Sequence, residues 1–421
     1  MKNFAAKYFI CVIFIFMALA FGALAYTKID KFISQEEIKQ EIKINWRELY
    51  PFIGDDAPEI EANENLNIFE KINKYIHDKL ELYTTEKIFC YGALVENARR
   101  FEDLINWNMV QLQEYNNVIK MPDGYLTTLF PRGDVNKIAE SVINFSEYCN
   151  ENNIKLIYVS APFKVCKHDD KNISGVLDFS NYNADDFHEI LNKNAVINID
   201  LREILHAENK KHHEMFYRTD HHWKSETGLW ASQIILKFLQ DKFNWDINYK
   251  MLDTENFKFV NYPKLFLGSQ GKKLTLARTE PDDFTMIYPK FETKFIYNDV
   301  ALTYNSSGDI SIMYFMEHVN KKDYYNINTY CAYINGDRPL IQIENLKSDN
   351  NKKILFIHDS FGDCVVPFLS IGTKYHDSVD LRAFKGSLKN FISHNKPDAI
   401  IILYNTSALN GQNTSSEFDF R

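Results

Sequence analysis

The chain has 421 residues, 45% of them hydrophobic and 14% aromatic, enough apolar material for two or three cores, which excludes a disordered chain. Its formal charge of -9 carries no long basic run, so there is no electrostatic footprint for nucleic acid, and an uncharged or cationic partner is easier to accommodate than a polyanion. The six cysteines (Cys11, Cys90, Cys149, Cys166, Cys331 and Cys364) stand far apart, without metal-ligand spacing, and do not reveal a redox compartment.

Lys2 and Lys7 precede an uncharged run from Tyr8 to Tyr26. As a helix this run is about 28 Å long, close to the hydrocarbon thickness of a bilayer. Basic residues ahead of it favour a cytoplasmic N-terminus, which puts everything after Thr27 outside the cytoplasmic membrane. Ala23-Leu24-Ala25 is also an acceptable signal-peptidase site, so a retained anchor and a cleaved signal both stay open. Residues 28–130 read as an N-terminal extension without chemistry of its own, with helices around Ile68 to Leu82 and Leu94 to Tyr115. Asp123-Gly124 marks a hairpin turn before Tyr125-Leu126.

After Pro131 helical and strand-like patterns alternate. Val135 to Asn150 is helical, Ile154 to Val159 an apolar strand, Ala184 to Asn192 helical and Ala195 to Ile199 strand-like. Ser225 reads as the N-cap of a helix that buries Leu229, Trp230, Ile234, Ile235, Phe238 and Leu239. Residues 244–350 read as a β-rich insertion. Its aromatics, among them Phe257, Phe259, Tyr262, Phe266, Tyr288, Phe291, Phe295 and Tyr297, either stack on sugar faces or form its own core. The alternation resumes with strand Ile354 to Ile357, a helix around Cys364 to Ile371, strand Ser378 to Arg382, a helix around Leu388 to His394 and strand Ala399 to Tyr404. Five short apolar strands separated by helices predict a parallel sheet covered on both faces, with reactive groups beyond the carboxyl ends of its strands.

Two stretches carry chemistry: Tyr217-Arg218-Thr219-Asp220-His221-His222-Trp223-Lys224 and Ile357-His358-Asp359-Ser360-Phe361-Gly362. On an extended segment Asp220 and His222 would point the same way, so the carboxylate can hold the imidazole. Ser360 follows an apolar strand and precedes a helix pattern, a nucleophile's place near the positive end of a helix dipole. Serine needs a base to take its proton, and the base needs a carboxylate to fix its tautomer. The competing reading of His212, His213, Asp220, His221 and His222 is a zinc or iron cluster, against which stands the lack of any His-x-x-x-His or Cys-x-x-Cys pair. His221 is expected to be structural or to touch substrate, and His212 and His213 to be solvated.

Asp220-His221-His222-Trp223 resembles the DHHW motif of the alginate O-acetyltransferase-like group of the SGNH hydrolase superfamily, and His358-Asp359-Ser360-Phe361 resembles its nucleophile turn. The Asp-His-Ser order is that group's circular permutation of ordinary SGNH enzymes, and the resemblance runs from about Asp123 to Tyr404. It implies an SGNH/flavodoxin-like α/β fold in residues 131–243 and 351–421, interrupted by the 244–350 insertion and preceded by a membrane anchor or signal in residues 1–27. It further implies that Asp220 orients, His222 acts as base and Ser360 carries an acyl group, with neither metal nor organic cofactor. Asn405 is either the side-chain oxyanion donor, with the Ser360 N–H as a second, or a turn residue; Arg382 is either a residue near the substrate or a surface ion-pair partner. The implied activity is O-acylation, in particular O-acetylation, of an exported cell-surface polysaccharide on the extracytoplasmic side of a bacterial inner membrane. The implied acyl donor is a membrane-bound O-acyltransferase. A carbohydrate esterase with the same triad and a non-catalytic polysaccharide-binding or assembly protein are the alternatives.

Overall fold

The computed structural model describes residues 118–121, 123–168, 178–410 and 416–421, all within one compact unit. The apolar run from Tyr8 to Tyr26 and the two helices expected before Tyr115 lie outside the described residues. No helix among the described residues is long and apolar enough to cross a membrane.

A hairpin of β1 (Ile119–Lys120) and β2 (Leu126–Thr127) opens the described chain, turning at Gly124 with φ of 87°, where a side chain would be strained. The central sheet is built from β3 (Lys155–Ala161), β4 (Asn198–Asp200), β7 (Phe295–Asp299), β8 (Tyr304–Gly308), β9 (Ile341–Asn345), β10 (Lys353–His358), β11 (Tyr375–Val379) and β12 (Ala399–Asn405). A separate hairpin pairs β5 (Phe257–Phe266) with β6 (Asp282–Pro289). The sheet order is β4-β3-β12-β10-β11-β9-β7-β8. Neighbours from β4 to β11 run parallel, and β9, β7 and β8 continue the sheet antiparallel. The sheet is therefore mixed and eight-stranded, not parallel and five-stranded: three strands of the stretch read as an insertion extend it.

Alternate residues of the central strands feed two cores, as period-two side-chain placement requires. Ile157, Val159, Phe356, Ile401 and Leu403 pack on one face; Leu156, Tyr158, Leu355, Ile357, Ile400 and Ile402 pack on the other. Helices Asn136–Glu151, Ser180–Lys193 and Leu388–Asn395 cover the second face, and Ser225–Phe243 covers the first. Most of the aromatics between 244 and 350 are core: Phe257, Phe266, Phe295 and Tyr297 are buried, and Phe259 is exposed. The β11 strand begins three residues earlier than the apolar run suggests, which leaves Arg382 in the turn after it.

Candidate active site

The carboxyl ends of β3, β10 and β12 lie side by side, so the segments that follow them, from Pro162, Asp359 and Thr406, emerge on one rim. Ser360 opens a single turn of 3-10 helix, Ser360–Gly362, capped by Asp359, whose carboxylate accepts the Phe361 N–H at 2.9 Å and the Asn405 N–H at 2.8 Å. The turn is tight because His358 folds its ring over Gly362: a β-carbon there would lie 2.3 Å from the imidazole. The following helix, Val366–Leu369, has only four residues, so its dipole contributes little to the serine.

The Asp-His stretch is not extended. Residues 218–222 form a bend closed by a bridge between Phe216 and Trp223, with the Tyr217 N–H donating to the His222 carbonyl at 3.2 Å. Asp220 and His222 nevertheless face each other, because Asp220 Oδ1 accepts both the His222 backbone N–H at 3.0 Å and a contact from His222 Nδ1 at 2.5 Å. The other ring nitrogen, Nε2, stands 2.7 Å from Ser360 Oγ across 138 positions of sequence. Ser225 does not cap its helix; Lys224 occupies the cap position without a side-chain bond, and Ser225 instead meets the Tyr217 hydroxyl at 3.3 Å.

Four further residues hold this arrangement. Gly268 sits so close to Asp220 that a β-carbon would come within 2.2 Å of the Asp220 Cβ, and the neighbouring Ser269 N–H donates to Asp220 Oδ2 at 2.6 Å. The Trp223 indole N–H donates to the Phe361 carbonyl at 2.9 Å, tying the histidine loop to the serine turn. Tyr330 stacks on the His222 ring at 4.0 Å and 11°, and its hydroxyl meets Cys364 Sγ at 3.3 Å. Trp223 was visible as part of a motif; Gly268, Ser269 and Tyr330 carry no local signal that separates them from ordinary turn and core residues.

Burial alone would raise the Asp220 carboxyl, but the His221 and His222 imidazoles and the hydrogen bonds from His222 outweigh it and hold the group well below the usual carboxylate range. Burial pushes Asp359 up to about 6 against the pull of Arg382. His221 lies at the rim, partly exposed, with its Nδ1 3.0 Å from Ser269 Oγ; desolvation and the adjacent His222 lower its pKa.

Asn405 is buried, and its amide donates to the Pro162 carbonyl at 2.9 Å while its Oδ1 accepts the Ser407 N–H at 3.0 Å. These contacts make it a brace between the ends of β3 and β12. Arg382 is gripped by Asp380, with Nη2 at 2.7 Å, and by Asp337 at 2.8 Å, the ion-pair arrangement rather than a free guanidinium over the serine. His212 and His213 are not simply solvated: His212 Nε2 meets the Phe163 carbonyl at 2.7 Å, and His213 pairs with Asp123 of the β1–β2 turn. Among the described residues, Asp220, His221 and His222 bring their ligand atoms within 4.8 Å of one another, but an ion held by a His222 nitrogen would compete with that nitrogen's contact to Asp220 or to Ser360. The arrangement fits proton transfer from a hydroxyl through an oriented imidazole.

Residues 131–264 match the family model of the SGNH hydrolase-like domain of the acetyltransferase AlgX. That match covers the 131–243 part of the α/β domain with the Asp220-His221-His222-Trp223 motif and runs into the stretch read as an insertion, while residues 351–421, with Ser360, lie outside it. No curated protein sequence matches the chain. Among solved structures, Bacillus cereus PatB1 with a sulfonyl adduct superposes with a TM-score of 0.59 at 21% identity, covering 72% of this chain and 99% of that one. A DHHW family protein from Eubacterium siraeum superposes with a TM-score of 0.56 at 20% identity, covering 74% of this chain and 96% of that one. At these identities the shared property is the fold.

Proposed function

We propose that the chain is an O-acyltransferase that moves an acyl group, in the first instance acetyl, through Ser360 to a hydroxyl of an exported polysaccharide. The observation that carries this reading is the continuous contact from Asp220 through both nitrogens of His222 to Ser360 Oγ. In the proposed sequence Ser360 Oγ attacks the acyl carbonyl as His222 Nε2 takes the hydroxyl proton, and Asp220 stabilises the imidazolium. The imidazolium then gives that proton to the leaving oxygen of the donor, leaving an ester on Ser360. A sugar hydroxyl, deprotonated by the same imidazole, attacks the ester, and the proton returns to Ser360 as the acylated sugar departs. The Ser360 backbone N–H is the proposed oxyanion donor, worth roughly 3 kcal/mol in the transition state by analogy with other such donors.

The match to an acetyltransferase domain supports acetyl as the group carried. The apolar run from Tyr8 to Tyr26 supports an extracytoplasmic location, where a membrane-bound O-acyltransferase is the proposed donor because cytoplasmic acyl thioesters do not reach that side. The test is intact-mass spectrometry of the full chain after incubation with p-nitrophenyl acetate, beside Ser360→Ala. One acetyl mapped to Ser360, absent from the variant and discharged to an oligosaccharide rather than to water, is the expected result. An unmodified wild type, or label that persists in Ser360→Ala, would refute the serine route; discharge to water alone would make the protein an esterase.

A further inference from the structure

Lys164 lies three residues past β3, and its side chain is fully buried. Its ammonium is held by neutral oxygens rather than in a salt bridge: the Leu126 carbonyl at 2.6 Å, Gln270 Oε1 at 3.2 Å, the Arg218 carbonyl at 3.5 Å and the carbonyl of Asp220 itself. Burying a lysine in this way is costly, and a methionine would fill the same volume without desolvating a charge. Desolvation pushes Lys164 down to about 7, while the carboxylates of Asp220, Asp282 and Asp123 favour its charged form.

The other side of the same loop is fixed by an acid. Asp282 accepts the N–H groups of Arg218 and Thr219, each at 2.8 Å, and the Thr219 hydroxyl at 2.6 Å. The peptide groups leading into Asp220 are therefore held by a buried cation on their carbonyls and a buried acid on their N–H groups. The loop is pinned at the residue whose carboxylate meets His222.

We propose that Lys164 is a positioning residue for the reaction at Ser360: by binding the Asp220 carbonyl it sets where the Asp220 carboxylate meets His222 Nδ1, and by binding the Leu126 carbonyl it makes strand β2 part of that support. Lys164 touches neither reacting atom, and its influence runs through Asp220. The activity part of this inference rests on the acyl-transfer reading, so the test has an arm that does not.

The experiment compares the full chain with Lys164→Met and Lys164→Arg, each first checked for cooperative thermal unfolding. One readout is the far-downfield proton resonance that a short His222 Nδ1–H to Asp220 hydrogen bond produces. The other is the rate of Ser360 modification by an aryl sulfonyl fluoride, followed by intact mass. In a folded Lys164→Met protein the resonance moves upfield or disappears and modification slows by about 10- to 100-fold, as expected for a small misplacement of a catalytic pair. Lys164→Arg keeps the charge but cannot enter the same four-oxygen cage, so its resonance shifts with the fold retained; it decides the matter where Lys164→Met does not fold. A folded variant that lowers only thermal stability, with resonance and rate at wild-type values, overturns the proposal, as does a wild type without the resonance. A wild type that shows the resonance but is not modified at Ser360 overturns the acyl-transfer reading instead.

Discussion

Gly268→Ala is the most direct probe of how Asp220 is held. The backbone at Gly268, with φ of -71° and ψ of 175°, is open to any residue, so the obstacle is space and not strain. A β-carbon would lie 2.2 Å from the Asp220 Cβ, 2.5 Å from its Oδ2 and 2.6 Å from its Cα. Carbon atoms pack at about 3.5–4.0 Å, so the two segments must separate by more than about 1 Å. That movement breaks the 2.6 Å bond from the Ser269 N–H to Asp220 Oδ2. A hydrogen bond to a charged group contributes about 1.5–3 kcal/mol. If the whole of it is lost in the transition state, the rate falls by about 10- to 150-fold. The assay is the second-order rate of Ser360 modification by an aryl sulfonyl fluoride at constant pH, with circular dichroism confirming the fold. Gly308→Ala is the control: its β-carbon would meet Ile312 Cγ2 at 2.7 Å, in the β8 region away from the serine, so it costs stability without slowing modification. A folded Gly268→Ala protein that reacts at the wild-type rate would show that the Ser269 bond does not orient Asp220.

Trp223→Phe removes the donor to the buried Phe361 carbonyl and is expected to cost about 1–3 kcal/mol in thermal stability and to slow Ser360 modification; a loss of stability alone would separate the tryptophan from the serine's placement. Asn405→Ala is expected to destabilise by about 1–3 kcal/mol with less than about a tenfold effect on reactivity, because its amide braces the Pro162 carbonyl; a loss of about a hundredfold or more at unchanged stability would favour the oxyanion role instead. Glu417 is pushed up to about 7 by burial and by the nearby Asp359. A carboxyl raised in this way contributes stability that is fully present below its unfolded value near 4.5 and lost as pH rises through 7. Glu417→Gln should therefore raise thermal stability at pH 8, by on the order of 2 kcal/mol given its partial exposure, and change it little at pH 5; equal effects at the two pH values would count against an ionisation cost.

The sheet's parallel core was legible because β3, β10 and β12 are continuous apolar runs buried on both faces, a pattern that few other elements produce. The antiparallel extension was not. Residues Ile341 to Asn345 alternate buried and half-buried, which marks a strand but says nothing about which sheet it joins or in which direction. At the site, the Asp220-His221-His222-Trp223 motif and the strand-to-turn position of Ser360 drew attention to three residues that the fold brings together across 138 positions of sequence. Asn405 and Arg382 could not be resolved in the same way, because an amide or guanidinium serves a backbone brace or an ion pair as readily as a substrate. Lys164 escaped notice because lysine is nearly always a surface residue, and nothing local marks the exception.

The position of β12 sets the order in which the site can assemble. Among the described residues it is the last strand, yet it lies between β3 and β10, the strands whose ends launch the Lys164 loop and the Ser360 turn. Synthesised from the N-terminus, the polypeptide presents His222 and Ser360 before the strand that unites their platforms. Long-range pairing of this kind is slow to form. A chain without β12 in place therefore holds a histidine and a serine with no fixed relation between them, and in the proposed mechanism Ser360 becomes a nucleophile only as that strand docks.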